Sequence, residues 1–194
     1  MARLFTPDGK YEADPATVNA LARSLGLTLR HLPLPQDPHT AALLARPELD
    51  PAQQAQLLQY LDASLGQAVQ APAGAGRDLV AFHADLPELP RLRQQFAQVH
   101  THTDHEVRYI LAGTGYFGVV RADGSQVLLE AGPGDYLEVP AGTEHWFALG
   151  PDPGLKALRL FSREKQWVAD YTGRQADPAL LGLLQAGATA TEPT

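Results

Sequence analysis

The chain carries seven histidines, and three of them, His100, His102 and His105, fall within six residues and run directly into Glu106. The pair His100-Thr-His102 places two imidazoles on one face of an extended segment, roughly 6.5 Å apart along its length. Two imidazoles at that spacing can chelate one metal ion, and Glu106 can add a hard oxygen ligand. A straight strand would carry Glu106 about 13 Å beyond His102, so the pattern requires a bend over Thr103 to His105. His145 can close the site from a facing strand, after the turn Pro140-Ala-Gly142-Thr-Glu. The plain alternative is a surface or packing role, which is common for an isolated His-x-His pair. No cysteine is present. Thiolate nucleophiles, Cys-type zinc sites and Cys-ligated iron–sulfur clusters are therefore excluded.

The elements that must hold these residues come in two textures. Up to about residue 95 helix signals dominate. Asp14-Pro15 and Asp50-Pro51 each place an N-cap before a proline at the first helical position. Val18, Leu21, Ala22 and Leu25 follow the first at helical spacing and stop at Gly26; Leu57, Leu58, Leu61 and Leu65 follow the second and stop at Gly66. Leu27 to Leu34 reads as extended, Gln70 to Gly76 as a loop, Leu79 to His83 as a strand, and Leu89 to Phe96 as a short helix. From 96 to 161 the pattern changes to short apolar runs: Val107 to Leu111, Tyr116 to Val120, Val127 to Leu129, Tyr136 to Val139, Trp146 to Leu149 and Leu155 to Phe161. Glycine- and proline-rich turns separate them. Strands at this spacing predict an antiparallel sandwich or barrel with the earlier helices outside it. Asp177-Pro178 opens a last helix to about Gln185. The residues after it, 186–194, read as a disordered tail.

The 194 residues carry 22 acidic and 15 basic side chains, a net charge of −7. No Lys/Arg cluster stands out, so neither nucleic acid nor an anionic membrane surface is expected as a partner. The first residues hold no apolar stretch of signal-peptide length, and no apolar run is long enough to span a bilayer. A cytoplasmic protein is the expectation.

Taken together, the residues resemble the two motifs of the cupin superfamily. His100, His102, Glu106 and Gly113 match the first, although Gln94 stands where its opening glycine is usual. Gly134, Pro140, Gly142 and His145 match the second at every gap, although Leu149 stands where its closing asparagine is usual. This resemblance implies a mainly β fold, a double-stranded β-helix barrel of jelly-roll type with peripheral α-helices, mostly N-terminal. It also implies a single domain over 1–185, with a mixed helical part at 1–95, a barrel core at 96–161 and a C-terminal segment at 162–185.

A narrower resemblance runs over about residues 78 to 174. His100-Thr-His-Thr-Asp-His-Glu-Val-Arg108-Tyr, Pro140-Ala-Gly-Thr-Glu-His-Trp-Phe147, Ala157-Leu-Arg-Leu-Phe161 and Trp167-Val-Ala-Asp-Tyr-Thr-Gly173 are similar to the acireductone dioxygenases. Ala148 and His105 depart from that family's usual residues. The resemblance implies a divalent metal, Fe(II) or Ni(II), held by His100, His102, Glu106 and His145. It also implies two small-molecule partners, O2 and acireductone, 1,2-dihydroxy-5-(methylthio)pent-1-en-3-one, an enediol of methionine salvage. With iron the implied products are formate and 4-methylthio-2-oxobutanoate. With nickel they are formate, carbon monoxide and 3-methylthiopropionate.

Arg108 lies two residues beyond Glu106 and so on the same strand face, where its fixed charge can stabilise an enolate oxygen. Phe96, Phe147 and Trp167 can line an apolar pocket for the thioether tail, or simply pack the core. His105 has the opposite parity and is expected to point outward; His31, His39 and His83 fall outside the motifs. The competing expectations are another metal-dependent cupin dioxygenase or isomerase, which would share the ligands but not the surroundings of Arg108, and a non-enzymatic binding cupin, which often lacks some of the ligands. A monomer is expected.

Overall fold

The computed structural model describes residues 1–69, 76–160 and 168–185. The expected pocket role of Trp167, the strand end at Phe161 and the expected disordered tail from 186 lie outside the described residues.

Two antiparallel sheets dominate. The seven-stranded sheet has the order β12-β5-β10-β7-β8-β1-β2 and the five-stranded sheet the order β3-β9-β6-β11-β4. The strands are β1 (Arg3–Phe5), β2 (Tyr11–Glu12), β3 (Thr28–His31), β4 (Arg77–Phe82), β5 (Gln98–Thr101), β6 (Glu106–Ala112), β7 (Gly115–Val120), β8 (Gln126–Ala131), β9 (Asp135–Val139), β10 (His145–Leu149), β11 (Leu155–Leu160) and β12 (Asp170–Gln175). The sheets pack face to face. Phe117, Val119, Val127 and Leu129 from one meet Ile110, Leu137, Val139 and Leu155 from the other in one apolar cluster. This is the double-sheet barrel implied by the cupin resemblance. It reaches beyond 96–161: β1 to β4 and β12 also join the sheets.

The helices start where Asp-Pro pairs stand. In α1 (Pro15–Ser24), α2 (Pro38–Leu44) and α3 (Pro51–Leu65) the preceding aspartate accepts a hydrogen bond from the backbone N–H three residues on. Each bond satisfies one of the orphan donors of the first turn. Gln53 returns the contact to the Asp50 N–H, completing a capping box. The pair Asp37-Pro38 carried the same start signal, but its helix is too short to show a repeating apolar stripe. Helix α4 (Leu89–Phe96) matches its predicted span, and α5 (Pro178–Gln185) starts at its predicted proline. Leu57 and Leu61 of α3 cover the outer face of the five-stranded sheet at Tyr109, Leu111 and Leu158. Leu180 and Leu184 of α5 cover the outer face of the other sheet at Phe5, Leu128 and Trp146. Among the described residues no helix is long and apolar enough to cross a membrane.

Candidate metal centre

The chain leaves β5 at Thr101, bends through residues 102–105 and enters β6 at Glu106. That bend moves it from one sheet to the other, so His100 and Glu106 face each other across the barrel interior. His145 is not on a facing strand as expected. It opens β10, the immediate neighbour of β5 in the same sheet, and pairs directly with His100. The residue on the facing sheet is Glu106. The turn before His145 is tied to the site by its backbone: the Gly142 N–H donates to the His102 carbonyl at 2.9 Å. Gly142 has φ +77°, a left-handed conformation that disfavours residues bearing a Cβ.

All four side chains are buried, and one potential ligand atom from each lies within 4.8 Å of the others. The Nε2 atoms of His102 and His145 stand 2.9 and 3.3 Å from the same Glu106 oxygen, Oε2. Each imidazole is held from behind. Nδ1 of His100 meets the Gln98 carbonyl at 2.7 Å, that of His102 the Val168 carbonyl at 3.1 Å, and that of His145 the Thr143 carbonyl at 2.8 Å. A carbonyl only accepts, so each Nδ1 carries a proton, and Nε2 is the atom that each ring can offer to an ion. A cation at the meeting point, a metal ion or a proton, would offset the Glu106 carboxylate buried among them. The set fits a divalent transition ion, with nitrogen donors that suit iron or nickel better than calcium or magnesium.

The electrostatics follow from burial and from the neighbouring charges. Burial pushes the His100 imidazolium down to about 4, so this ring is neutral near pH 7. Burial works against a charged His102 as well, but the Glu106 carboxylate outweighs it and raises that imidazole above its ordinary value. Burial would by itself raise Glu106; Arg108, helped by His102 and His145, holds its carboxyl well below the usual range. Nη2 of Arg108 lies 3.1 Å from Glu106 Oε1. That contact bears out the shared strand face and leaves Oε2 to the histidines. Burial lowers the Arg108 guanidinium to about 10, which keeps it cationic at neutral pH.

The four side chains form one wall of a cavity of about 170 Å³. Phe96 and Phe147 both line it, with ring centroids 5.6 Å apart in edge-to-face contact. Sequence patterns alone did not single out Phe82, Arg159 and Tyr171, which line it too. For Arg159 a signal existed: Leu155, Ala157 and Arg159 alternate along β11 and all face the cavity. Arg159 is the cross-strand partner of Arg108. Two adjacent guanidiniums repel, and Asp78 offsets this with a two-pronged contact to Arg159, Nε to Oδ1 at 2.6 Å and Nη2 to Oδ2. His105 is outside the cluster. It is half exposed and pairs with Glu138 at 2.9 Å.

Fold and site together define a double-sheet barrel with a buried centre of three histidines and one glutamate. Residues 28–169 match the model of the ARD/ARD' family, and the chain belongs to that family. It is 37% identical over 175 residues to the acireductone dioxygenase of Trichodesmium erythraeum, covering 90% of this chain and 97% of that protein. It is 39% identical over 176 residues to the acireductone dioxygenase of Rhodopseudomonas palustris, covering 91% of this chain and all of that one. Among solved structures it is similar to an acireductone dioxygenase from Bacillus anthracis with a cadmium ion in its active centre. The TM-score is 0.77 at 25% identity, with 88% of this chain and 98% of that one covered.

Proposed function

We propose that the protein is an acireductone dioxygenase whose metal is held by His100, His102, Glu106 and His145. The observation that carries this reading is the convergence of four buried donors, with anchored rings, on the wall of a cavity that also holds a cationic Arg108. A divalent ion held by these four residues would supply Lewis acidity toward the substrate. The carbonyl anchors on the three Nδ1 atoms keep the rings from turning during turnover. Arg108 meets the enediolate as a fixed positive charge in a space shielded from water, where such a charge counts for more than in bulk solvent. Its contact with Glu106 sets the angle of that carboxylate as well as its own. Phe96 and Phe147 give the thioether tail an apolar surface and shield the reacting carbons from water. Asp78 holds the second guanidinium, Arg159, beside Arg108 on the cavity wall.

The finer reading is that the identity of the ion, iron or nickel, selects the products on one polypeptide. All four ligands are nitrogen or oxygen donors, so softness enforces no choice between the two. Operation as a cytoplasmic monomer without a nucleic-acid partner completes the proposal. The test is to strip the protein of metal, reload it with Fe²⁺ or Ni²⁺, and add enzymatically made acireductone with oxygen. Both forms should consume it, and carbon monoxide should collect only over the nickel form. If neither form consumes acireductone faster than buffer does, the dioxygenase reading fails.

A further inference from the structure

The cavity at the metal centre changes character along its strands. On β6 the residues that line it run Glu106, Arg108, Ile110, and on the neighbouring β11 they run Arg159, Ala157, Leu155. On β10 His145 is followed on the same face by Phe147, which pairs with Phe117 of β7. In both sheets the charged and polar groups stand at one end and the apolar groups at the other, about 6.6 Å further on for every second residue. Ile110, Phe117 and Leu155 are fully buried, so packed side chains close the apolar end.

A glycine lies behind that end. Gly115 of β7 has the parity of Phe117 and is the cross-strand partner of Leu149 on β10, so a side chain there would point into the barrel. A Cβ at Gly115 would stand 3.0 Å from Phe147 Cε2, 3.4 Å from Phe117 Cε2 and 3.6 Å from Leu155 Cδ2. All three of those side chains line the cavity. The first distance is shorter than an ordinary contact between carbons, so a methyl group at this position has to move the Phe147 ring. Phe96 and Phe117 already stand against that ring, and the space left for it is the cavity. The backbone sets no obstacle to alanine, because Gly115 is not one of the glycines with positive φ. The missing side chain lets Phe147 lie back against β7 and keeps the apolar end of the cavity open to a ligand.

We propose that Gly115 and Leu155 set the length of apolar tail that the substrate can carry, Gly115 by leaving room for the Phe147 ring and Leu155 by closing the end of the cavity. This deepens the acireductone reading, on which the identity of the tail as a thioether rests. The probes are straight-chain hydroxamates, which chelate a divalent ion through two oxygens and carry tails of chosen length: acetohydroxamate, pentanohydroxamate and octanohydroxamate. Pentanohydroxamate has a butyl chain as long as the thioether tail. Each is titrated calorimetrically into the nickel-loaded full-length protein without oxygen. The wild type should bind pentanohydroxamate more tightly than acetohydroxamate and gain nothing further from octanohydroxamate. Gly115→Ala should weaken pentanohydroxamate about tenfold, the effect of a methylene-sized change in an apolar pocket, and leave acetohydroxamate unchanged. With acireductone and oxygen the same variant should show its loss in KM, while kcat stays near that of the wild type. Leu155→Ala should bind octanohydroxamate about tenfold more tightly than the wild type does. It removes bulk where Gly115→Ala adds it, so it tests the closed end even if alanine at 115 disturbs the packing. The proposal is overturned if Gly115→Ala keeps the wild-type preference for pentanohydroxamate, or if Leu155→Ala gains nothing with octanohydroxamate. The expected hydroxamate series without turnover of acireductone would sink the dioxygenase reading and keep the length limit. Turnover with equal affinities along the series would do the reverse.

Discussion

At the scale of single residues, position in the cluster separates side chains that composition treats alike. His145 gives one of four converging donors, and His105 lies outside them with Glu138. His145→Ala should therefore lower metal content at least tenfold, whereas His105→Ala should leave it nearly unchanged; elemental analysis of the two purified variants decides, and equal metal in both would remove His145 from the ligand set. Arg108 touches Glu106 but is not itself one of the four converging donors. Arg108→Ala should retain far more metal than His145→Ala while turnover falls on the order of 100-fold. A fully active variant would show that the guanidinium serves packing alone. The raised imidazole of His102 makes a proton the competitor of the metal at that ring. Affinity for the ion should thus climb with pH until His102 is deprotonated. His100, held at about 4, adds nothing to this dependence near neutrality. Metal titrations of the stripped protein at pH 6 and pH 8 check the sign, and tighter binding at the lower pH would contradict it.

At the scale of elements, His145 is aimed by what its neighbour does on the other side of the sheet. Trp146 comes next on β10, turns outward, and is fully buried, with Nε1 donating to Gln126 Oε1 at 2.8 Å. Its cross-strand partner on β7 is Gly118. A Cβ at that glycine would stand 1.9 Å from the indole, so the ring lies where a side chain would otherwise be. Gly118→Ala should push the indole off β7 and cost about 1–3 kcal/mol, the usual range for overpacking a tight core. Because His145 is the adjacent residue, metal content should fall with stability. Denaturant unfolding and elemental analysis of one preparation test both, and a variant as stable as the wild type would mean that Trp146 can move freely.

At the scale of the whole molecule, the centre joins the two sheets. His100 and His145 come from the seven-stranded sheet and Glu106 from the five-stranded one. An ion held by all of them ties the sheets at one end of the barrel, and binding only the folded state stabilises that state. At a free ion concentration of 100 times Kd the gain is about 2.7 kcal/mol. For a chain of this size that corresponds to about 5–10 °C in melting temperature. Calorimetric melts before and after chelation, and after restoring the ion, should show this loss and recovery. Equal melting temperatures with and without a fully occupied site would mean that the ion does not bridge the sheets.

Several features were legible in the residues because they rest on local chemistry. Asp-Pro pairs mark helix starts through a side-chain cap and a pre-set φ, and α1, α3 and α5 begin at those prolines. Strand parity placed Glu106 and Arg108 together, as their 3.1 Å contact shows, and the bend after His102 came from the length of an extended residue. The strands at the two ends of the seven-stranded sheet, β1 and β2 at one and β12 at the other, were not legible. β1 and β2 have three and two residues, and every residue of β12 is exposed, so none displays an apolar alternation. Sequence determined by itself which residue types stand at which spacing, and hence the four donors. Only the tertiary structure decided that His145 is a neighbour of His100 and that Glu106 faces them. It also decided that Arg159 and Asp78 complete the charge around Arg108, and that Gly115 leaves room for the ring of Phe147. The physical reason is that strand pairing and barrel closure depend on contacts between residues tens of positions apart, which no local pattern encodes.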